Sequence, residues 1–352
     1  MRIGILTLHR ANNYGAALQC FALQETLVAL GYEVYVIDYR QPDTEDSYKV
    51  LSWKRLRNAA QNLRSIVKEL FIRIPYSVVQ QKGFNTFRRQ YLHCTPPVFD
   101  AQKIPQNFDA YIIGSDQLWS IQCMNGHIEP VYFGQFPHSN KSKIIGYAIS
   151  SNIASLKEIG TDRLNQYLSS FNTISLREAG ICKWITENTH FPVRQDVDPT
   201  LLYDIGKWKT LLNNKRPTKD RYILMYFLLP EQKSYAYKFA KQHGLRLIEV
   251  GKVAYSPKEF LTYIKYADYI LGGSFHIAVF SIIFEKKFSI IKKNNDFDIR
   301  SSDLLDHLGL TSQFIDIKDL QHVDINQEIE FSASKKALFR LREQSIEFLR
   351  SL

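Results

Sequence analysis

The chain has 352 residues, of which 45% are hydrophobic and 23% charged, and its formal net charge is +10. This composition excludes a disordered tail, a coiled coil and a mini-domain, and the length predicts two domains that each bury an apolar core. The four cysteines are widely spaced and form no Cys-x-x-Cys pair, so neither a disulfide framework nor a zinc site is indicated. We therefore expect a reduced, cytoplasmic protein without a bound metal.

Neither of the two most apolar stretches has the features of a targeting or membrane segment. The apolar start, residues 3–8, is interrupted at once by polar residues. The longest apolar stretch, residues 269–284, contains His276 and is shorter than the ~20 residues that a spanning helix needs. The sequence predicts neither a signal peptide nor a transmembrane helix.

The first half of the chain alternates apolar runs with segments of helical spacing. Residues 2–8, 16–30 and 32–39 read as strand, helix and strand, which is a β-α-β unit with parallel strands. Further strands are predicted at residues 109–113, 144–149 and 173–176. Residues 1–205 are therefore predicted to form an N-terminal Rossmann-like domain.

A basic segment, residues 51–90, interrupts this pattern. It contains nine Lys or Arg residues against one Glu, interleaved with apolar residues. Such a segment suits a basic amphipathic helix on an anionic membrane surface, or a soluble helix pair with a solvated charged face, which we favour slightly. Nucleic acid is not expected as a partner, because no recognised binding motif accompanies the charge.

The second half repeats the same alternation after a polar, Lys-rich passage, residues 204–220, that suits a linker. Residues 206–333 are predicted to form a second Rossmann-like domain, and residues 334–352 a closing C-terminal helix. The predicted fold class is therefore α/β, with two Rossmann-like domains facing across a cleft. Ligands of such sheets bind at the carboxyl ends of the strands, so the turns that follow strands are the candidate sites.

Two of these turns belong to the first half. Asn13, Tyr14 and Gly15 lie where a helix begins and can hold an anion or sugar hydroxyls, although a simple helix cap explains them as well. Asp116 follows a strand, where a carboxylate can accept a proton or orient a hydroxyl, or else cap the next helix.

The remaining candidates are three cations, a serine and a histidine, which also follow predicted strands or lie near them. Arg177 ends a strand and has the fork geometry for a carboxylate or phosphate, with Glu178 as an ion-pair alternative. Ser274 and His276 follow a Gly-Gly turn in the first turn of a helix, where a histidine can act as a general acid, although a lone histidine is more often structural. Lys287 and Arg300 add positive charge for an anionic substrate, or simply coat a surface.

Several stretches together resemble the polysaccharide pyruvyl transferase family over nearly the whole chain. They include FDAYIIGSDQLW, ISLREAG, DPTLLYDIGKW, YADYILGGSFHIAVFSIIFEKKF and IRSSDLLDHLGL. The resemblance implies a fold like that of B-type glycosyltransferases. It also implies transfer of the pyruvyl group of phosphoenolpyruvate onto two hydroxyls of a sugar, in a bacterial capsular or extracellular polysaccharide or its lipid-linked precursor. The product would be a pyruvate ketal, formed without cofactor or metal.

This resemblance suggests a role for each candidate. His276 would be the general acid, and Arg177, Lys287 and Arg300 would bind the donor, assisted by Ser274. Asp116 and Asn13, with Tyr14 and Gly15, would lie on the acceptor side. A lipid-linked acceptor would explain peripheral attachment of residues 51–90 at the inner membrane face.

The chain departs from the family pattern beside His276. Relatives commonly read Thr-Asp-Ser-Phe-His-Gly-Thr where this chain has Gly-Gly-Ser-Phe-His-Ile-Ala, so Gly273 replaces the Asp, and Ile277 and Ala278 follow the histidine. Two alternatives therefore stay open. One is a nucleotide-sugar glycosyltransferase of the same fold, and the other is a catalytically impaired sugar-binding protein of a polysaccharide assembly complex.

Overall fold

The computed structural model describes residues 1–41 and 73–352. These residues divide into two compact units, which we describe separately. The first unit comprises Met1–Leu202 and the last four residues, Leu349–Leu352, and the second comprises Tyr203–Phe348. The division after Leu202 falls three residues before the boundary predicted from the sequence.

The first unit is built on a parallel sheet with strand order β2-β1-β3-β4-β5-β6. Its strands are β1 Arg2–Leu6, β2 Glu33–Val36, β3 Ala110–Asp116, β4 Lys143–Ile149, β5 Thr173–Leu176 and β6 Arg194–Gln195. Its helices are α1 Tyr14–Ala29, α2 Ile74–Tyr91, α3 Ile153–Ile159, α4 Thr161–Leu168, α5 Ala179–Asn188 and α6 Pro199–Leu202, with short 3-10 helices at Ala101–Lys103 and Pro130–Phe133.

The core of this unit follows from the apolar character of the central strands. β3 and β4 are buried almost throughout, as expected for parallel strands that are covered on both faces. Helix α1 is buried along most of its length, and α2 packs against it through aromatic rings. Phe84 lies 5.3 Å from Tyr14, and Phe87 lies 5.9 Å from Phe21, measured between ring centroids.

The second unit contains another parallel sheet, with strand order β11-β10-β9-β7-β8. Its strands are β7 Tyr222–Tyr226, β8 Arg246–Glu249, β9 Tyr269–Gly272, β10 Phe288–Ile291 and β11 Phe314–Ile315. Its helices are α7 Ile205–Thr210, α8 Pro230–Gln242, α9 Val250–Val253, α10 Pro257–Tyr266, α11 Phe275–Ile283, α12 Asp298–His307 and α13 Ser332–Arg350, with 3-10 helices at Thr311–Gln313 and Ile317–His322.

The predicted α/β class with two Rossmann-like domains is confirmed by these two parallel sheets. The start of the passage that suited a linker is instead part of the second unit, because α7 carries Trp208, whose side chain is fully buried. The Trp208 ring meets Phe280 edge-on at 5.0 Å between centroids. The closing helix α13 lies mostly in the second unit, and its end joins the first, where the Tyr32 hydroxyl donates to the carbonyl of Leu349 at 3.1 Å.

The basic segment, residues 51–90, lies partly outside the described residues, which resume at Arg73. Its described part is α2, with Phe84 and Phe87 buried and Lys82 and Arg89 exposed. Across residues 1–41 and 73–352, no helix is both long and apolar enough to cross a membrane.

Candidate active site

The turn between β1 and α1 contains Asn13, Tyr14 and Gly15. Asn13 is exposed, and its Oδ1 caps α1 by accepting a hydrogen bond from the backbone N–H of Ala16 at 3.2 Å. Tyr14 is only 3% exposed, since its ring packs on Phe84, and Gly15 is buried inside α1. Tyr14 and Gly15 thus belong to the packing of the first unit, whereas Asn13 is exposed, and substrate binding by these three residues stays a prediction.

Asp116 ends β3 in a sharp turn. Its backbone has φ 91°, in the left-handed region that non-glycine residues rarely adopt. The turn is held because the carbonyl of Asp116 accepts a hydrogen bond from Ser150 N–H at 2.9 Å, and its Oδ1 accepts one from Gln117 N–H at 2.9 Å. Unusual backbone of this kind is common at functional sites, and it keeps Asp116 at the carboxyl edge of the first sheet.

Arg177, at the end of β5, is buried between two carboxylates. Its Nε donates to Glu178 Oε1 at 2.9 Å, and its Nη1 donates to Asp198 Oδ2 at 2.7 Å. Burial alone would lower the pKa of Arg177, but Glu178, Asp198 and Asp116 outweigh it and raise that pKa above its usual range. Ser150 donates a further bond to Glu178. The charge of Arg177 is balanced inside this network, and donor binding by Arg177 stays a prediction.

In the second unit, the turn after β9 is shaped by two glycines. A Cβ atom on Gly273 would lie 2.6 Å from the carbonyl oxygen of Phe227 and 2.8 Å from Cε of Lys293. A Cβ atom on Gly272 would lie 2.1 Å from Cγ2 of Ile277. Both positions therefore exclude any side chain unless their neighbours move.

Ser274 and His276 lie directly after this turn, at the start of α11. Ser274 caps the helix, and its hydroxyl accepts a hydrogen bond from the backbone N–H of Ile277 at 3.4 Å. His276 is 8% exposed, so the imidazole is more buried than a histidine at an open helix end. The first turn of α11 therefore presents a polar helix terminus beside a largely buried imidazole.

Lys293 is a cation that the sequence interpretation missed. It follows β10, and its ammonium lies 3.8 Å from the centroid of the Phe227 ring, at the carboxyl end of β7. Burial and the nearby Arg300 lower the pKa of Lys293 to about 8, although Asp298 acts in the opposite direction. Because β10, β9 and β7 are neighbours, Lys293, the Gly272–Gly273 turn and Phe227 share one edge of the second sheet.

Lys287 lies at the other end of β10. Its ammonium donates to the carbonyl of Asn326 at 2.8 Å and pairs with Glu328 at 2.6 Å. Because it precedes a parallel strand, Lys287 lies at the amino edge of the sheet, and donor binding by Lys287 stays a prediction. The rule that ligands meet the carboxyl edge already favoured Lys293, two residues after β10, over Lys287.

The described residues contain no group of three or more His, Cys, Asp or Glu side chains arranged to hold a metal ion. The polar groups near the carboxyl edge of the second sheet include the hydroxyl of Ser274, the imidazole of His276, the ammonium of Lys293 with the guanidinium of Arg300 nearby, and the carboxylate of Asp298, which accepts from the backbone N–H of Lys293 at 2.9 Å. Such groups suit hydrogen bonding, proton transfer and the binding of anions.

A comparison with protein-family models matches residues 13–292 to the model described as polysaccharide pyruvyl transferase. The chain belongs to the polysaccharide pyruvyl transferase family. The match includes the turn after β9 and His276, and it ends one residue before Lys293. A search of curated proteins finds no match.

Several solved structures are similar in fold at low sequence identity. A putative UDP-N-acetylglucosamine 2-epimerase from Listeria monocytogenes has 8% identity and a TM-score of 0.49, with 99% of this chain and 93% of that chain covered. UGT89C1 from Arabidopsis thaliana has 10% identity and a TM-score of 0.49, with 99% and 98% covered. The spinosyn rhamnosyltransferase SpnG has 10% identity and a TM-score of 0.39, with 100% and 98% covered.

Packing explains three of the departures from the polysaccharide pyruvyl transferase motif, at Gly272, Gly273 and Ile277. Where relatives commonly have Thr and Gly, this chain has Gly272 and Ile277, and the Ile277 side chain fills the space beside the missing one. The Asp of the motif is replaced by Gly273, where the close approach of the Phe227 carbonyl leaves no room for a side chain. Within this chain, the turn before Ser274, Phe275 and His276 is thus closely packed against Ile277 and the Phe227 carbonyl.

Proposed function

We propose that this polysaccharide pyruvyl transferase takes the pyruvyl group from phosphoenolpyruvate and attaches it to two hydroxyls of a sugar. The observation that carries the proposal is the pair of cations at the edge of the second sheet, Lys293 and Arg300. Burial and, after it, the charge of Arg300 lower the pKa of Lys293, so an anionic ligand beside the two cations would be stabilising. Phosphoenolpyruvate brings both a phosphate and a carboxylate.

The start of α11 supports the same assignment. The first turn of a helix carries a partial positive charge, which favours phosphate or carboxylate. Ser274 adds a hydroxyl there. The donor would thus be held by Lys293, Arg300, Ser274 and the helix terminus.

His276 is proposed as the general acid. It protonates C3 of the enol, which leaves a cationic C2 that the first sugar hydroxyl attacks. The C2–O bond to phosphate then breaks, and the second sugar hydroxyl attacks C2 and closes the ring. Of the two hydroxyl protons released, one restores the proton that His276 gave to C3, and the other protonates the departing phosphate. A positioned proton donor contributes on the order of 10² to 10⁴ in rate.

Asp116 and Asn13 are proposed to orient the acceptor hydroxyls. Both are polar groups at the carboxyl edge of the first sheet, where Asn13 is exposed and Asp116 is half-buried. Arg177 would act as a positioning residue, because its network holds Glu178 and Asp198 next to Asp116.

The proposal is tested first by donor binding. Calorimetry with phosphoenolpyruvate should show binding to the full chain, weaker by about tenfold or more in Lys293→Gln, the usual effect of losing a charge-assisted bond. Lys287→Gln is the matched control, since that lysine lies at the amino edge and should leave the affinity unchanged. Equal loss in both variants would contradict the donor site.

A second experiment separates the proposal from its two alternatives. The chain is incubated with phosphoenolpyruvate and a sugar acceptor panel, and phosphate release is measured together with the new ketal methyl signal in proton NMR. Stabilisation by nucleotide sugars but not by phosphoenolpyruvate would instead indicate a glycosyltransferase. Acceptor binding without phosphate release would indicate an impaired sugar-binding protein.

Cytoplasmic location, a lipid-linked acceptor and peripheral contact with an anionic membrane stay predictions. The location rests on the cysteine pattern, and the other two predictions rest on the basic segment, of which only residues 73–90 lie among the described residues. Sedimentation with anionic vesicles, and release by moderate salt, is the measurement that checks the membrane contact.

A further inference from the structure

Phe227, the residue that follows β7, has features that core packing does not explain. Its side chain is 63% exposed, so it contributes little to the apolar core of the second unit. Its backbone has φ 63°, in the left-handed region that a bulky residue rarely adopts. Such a backbone conformation persists only where the surroundings hold it, and it is common at functional sites. The placement of this ring therefore indicates a role outside the core.

The turn after β9 holds Phe227 in this position. Gly273 donates its backbone N–H to the carbonyl of Tyr226 at 3.0 Å, and a Cβ atom on Gly273 would lie 2.6 Å from the carbonyl oxygen of Phe227. The same Cβ atom would lie 2.8 Å from Cε of Lys293, so the aliphatic part of Lys293 passes directly over this glycine. Because it has no side chain, Gly273 thus lets Phe227 and Lys293 approach each other.

The contact that results is a cation–π pair. The ammonium of Lys293 lies 3.8 Å from the centroid of the Phe227 ring, well within the ~6 Å over which a ring face attracts a cation. The attraction comes from the negative face of the ring, so it stabilises the charged form of the lysine and not the neutral amine. Phe227 therefore favours the protonated form of Lys293.

The other surroundings of Lys293 give this contribution a large effect on its charge. Lys293 is half-buried, and burial lowers its pKa. Two charged groups of α12 also act on it, since Arg300 lowers the pKa and Asp298 raises it, and the result is a pKa of about 8. A lysine with the ordinary pKa stays charged at neutral pH after a small change in pKa. For Lys293, a fall of about one pH unit would leave about half of the molecules neutral at pH 7.

We propose that Phe227 is a positioning residue of the donor site, whose ring keeps the ammonium of Lys293 charged and in place for the anionic groups of phosphoenolpyruvate. This inference rests on the proposed function and extends it to a side chain that has no polar group of its own. It accounts for an exposed aromatic ring, on an unfavourable backbone conformation, at the carboxyl edge of the second sheet.

The pH dependence of amine labelling tests the link between the ring and the lysine. Acetylation of Lys293 in the full chain is followed against pH by peptide mass spectrometry, because only the neutral amine reacts. Phe227→Leu should move the midpoint to lower pH by about 0.4–1.5 pH units, the range expected for the loss of a cation–π pair. Phe227→Tyr keeps the ring and should restore the midpoint. Easier access to the amine would raise the rate at every pH without moving the midpoint.

Phe339→Leu is the matched control. Phe339 is also 63% exposed and lies in the second unit, on α13, so this variant removes an equally exposed ring from another element. Its midpoint for Lys293 should equal that of the unchanged protein. The same midpoint in Phe227→Leu and Phe339→Leu would overturn the proposal.

Calorimetry with phosphoenolpyruvate at two pH values tests the link to the donor. At pH about 8, Phe227→Leu should weaken binding by about twofold to tenfold, because fewer molecules carry the ammonium, and at pH about 6 the two affinities should converge. A loss of equal size at both pH values would overturn the proposal. A shifted labelling midpoint in a protein that binds no phosphoenolpyruvate would instead overturn the proposed function, and would support control of the Lys293 charge by Phe227.

Discussion

The carboxyl edge of each sheet carries a cation, which is buried in the case of Arg177 and half-buried in the case of Lys293, but the electrostatic surroundings of the two are opposite. Arg177 in the first unit lies between Glu178 and Asp198, which raise its pKa. Lys293 in the second unit lies near Arg300, and burial and this neighbour lower its pKa to about 8. A cation at a strand end is therefore no sign of an anion site by itself. The first edge is balanced by the protein, whereas the second has a charge that a ligand can balance.

The largest expected effect is on turnover at the second edge. His276→Gln should reduce phosphate release on the order of 10²-fold to 10⁴-fold, because a positioned proton donor is lost. Affinity for phosphoenolpyruvate, measured by calorimetry, should stay close to that of the unchanged protein. Near-normal turnover in this variant would remove His276 from the reaction.

Replacing the cation at the first edge, Arg177, should lower the stability of the protein. Arg177→Met leaves Glu178 and Asp198 buried without their partner, and breaking a buried ion pair on one side costs about 3–5 kcal/mol of unfolding free energy. Urea denaturation measures this loss. Lys293→Met is the matched variant in the second unit, and it should not be destabilised comparably. Similar losses of unfolding free energy in both variants would contradict the difference in charge balance between the two sheet edges.

The repacked turn of the second edge predicts a non-additive pair. Gly272→Thr meets Ile277 and overpacks the turn, at a cost of about 1–3 kcal/mol, while Ile277→Gly leaves a cavity. The double variant restores the common arrangement of the family. Its loss of unfolding free energy should therefore be smaller than the sum of the losses in the two single variants, by about 0.5–3 kcal/mol. If thermal or urea unfolding showed that the two losses of unfolding free energy simply add, the side chains at positions 272 and 277 would not fill the same space.

The smallest expected effect is a pH dependence at Lys293. Because its folded pKa of about 8 lies below the ordinary value of 10.5, the unfolded chain binds more protons between these values. Stability should therefore rise with pH from about 8 towards 10.5, relative to Lys293→Met. Affinity for phosphoenolpyruvate should fall over the same rise, because the neutral amine no longer attracts it. Parallel pH profiles for the two proteins would contradict a depressed pKa.

The alternation of strands and helices could be predicted because apolar runs and helical spacing are local. The contacts that define the sites could not. Asp198 reaches Arg177 through β6, whose two residues are too short for a recognisable pattern. Arg10 after β1, Arg40 after β2 and Arg88 on α2 line one cavity of the first unit, and only the folded chain shows that these three residues meet. Lys287 was predicted from its charge, and only the bounds of β10 show that it precedes the strand whereas Lys293 follows it.

The end of α13 has a consequence for how the protein is made. Leu349 is fully buried, and Tyr32 bonds to its carbonyl, yet the two residues belong to opposite ends of the chain. At roughly 5 to 20 residues per second, the ribosome needs roughly 7 to 30 s to pass from Leu202 to Leu349. Throughout that interval the first unit lacks its final piece, so a nascent chain carries an incomplete apolar surface until the whole second unit has been translated.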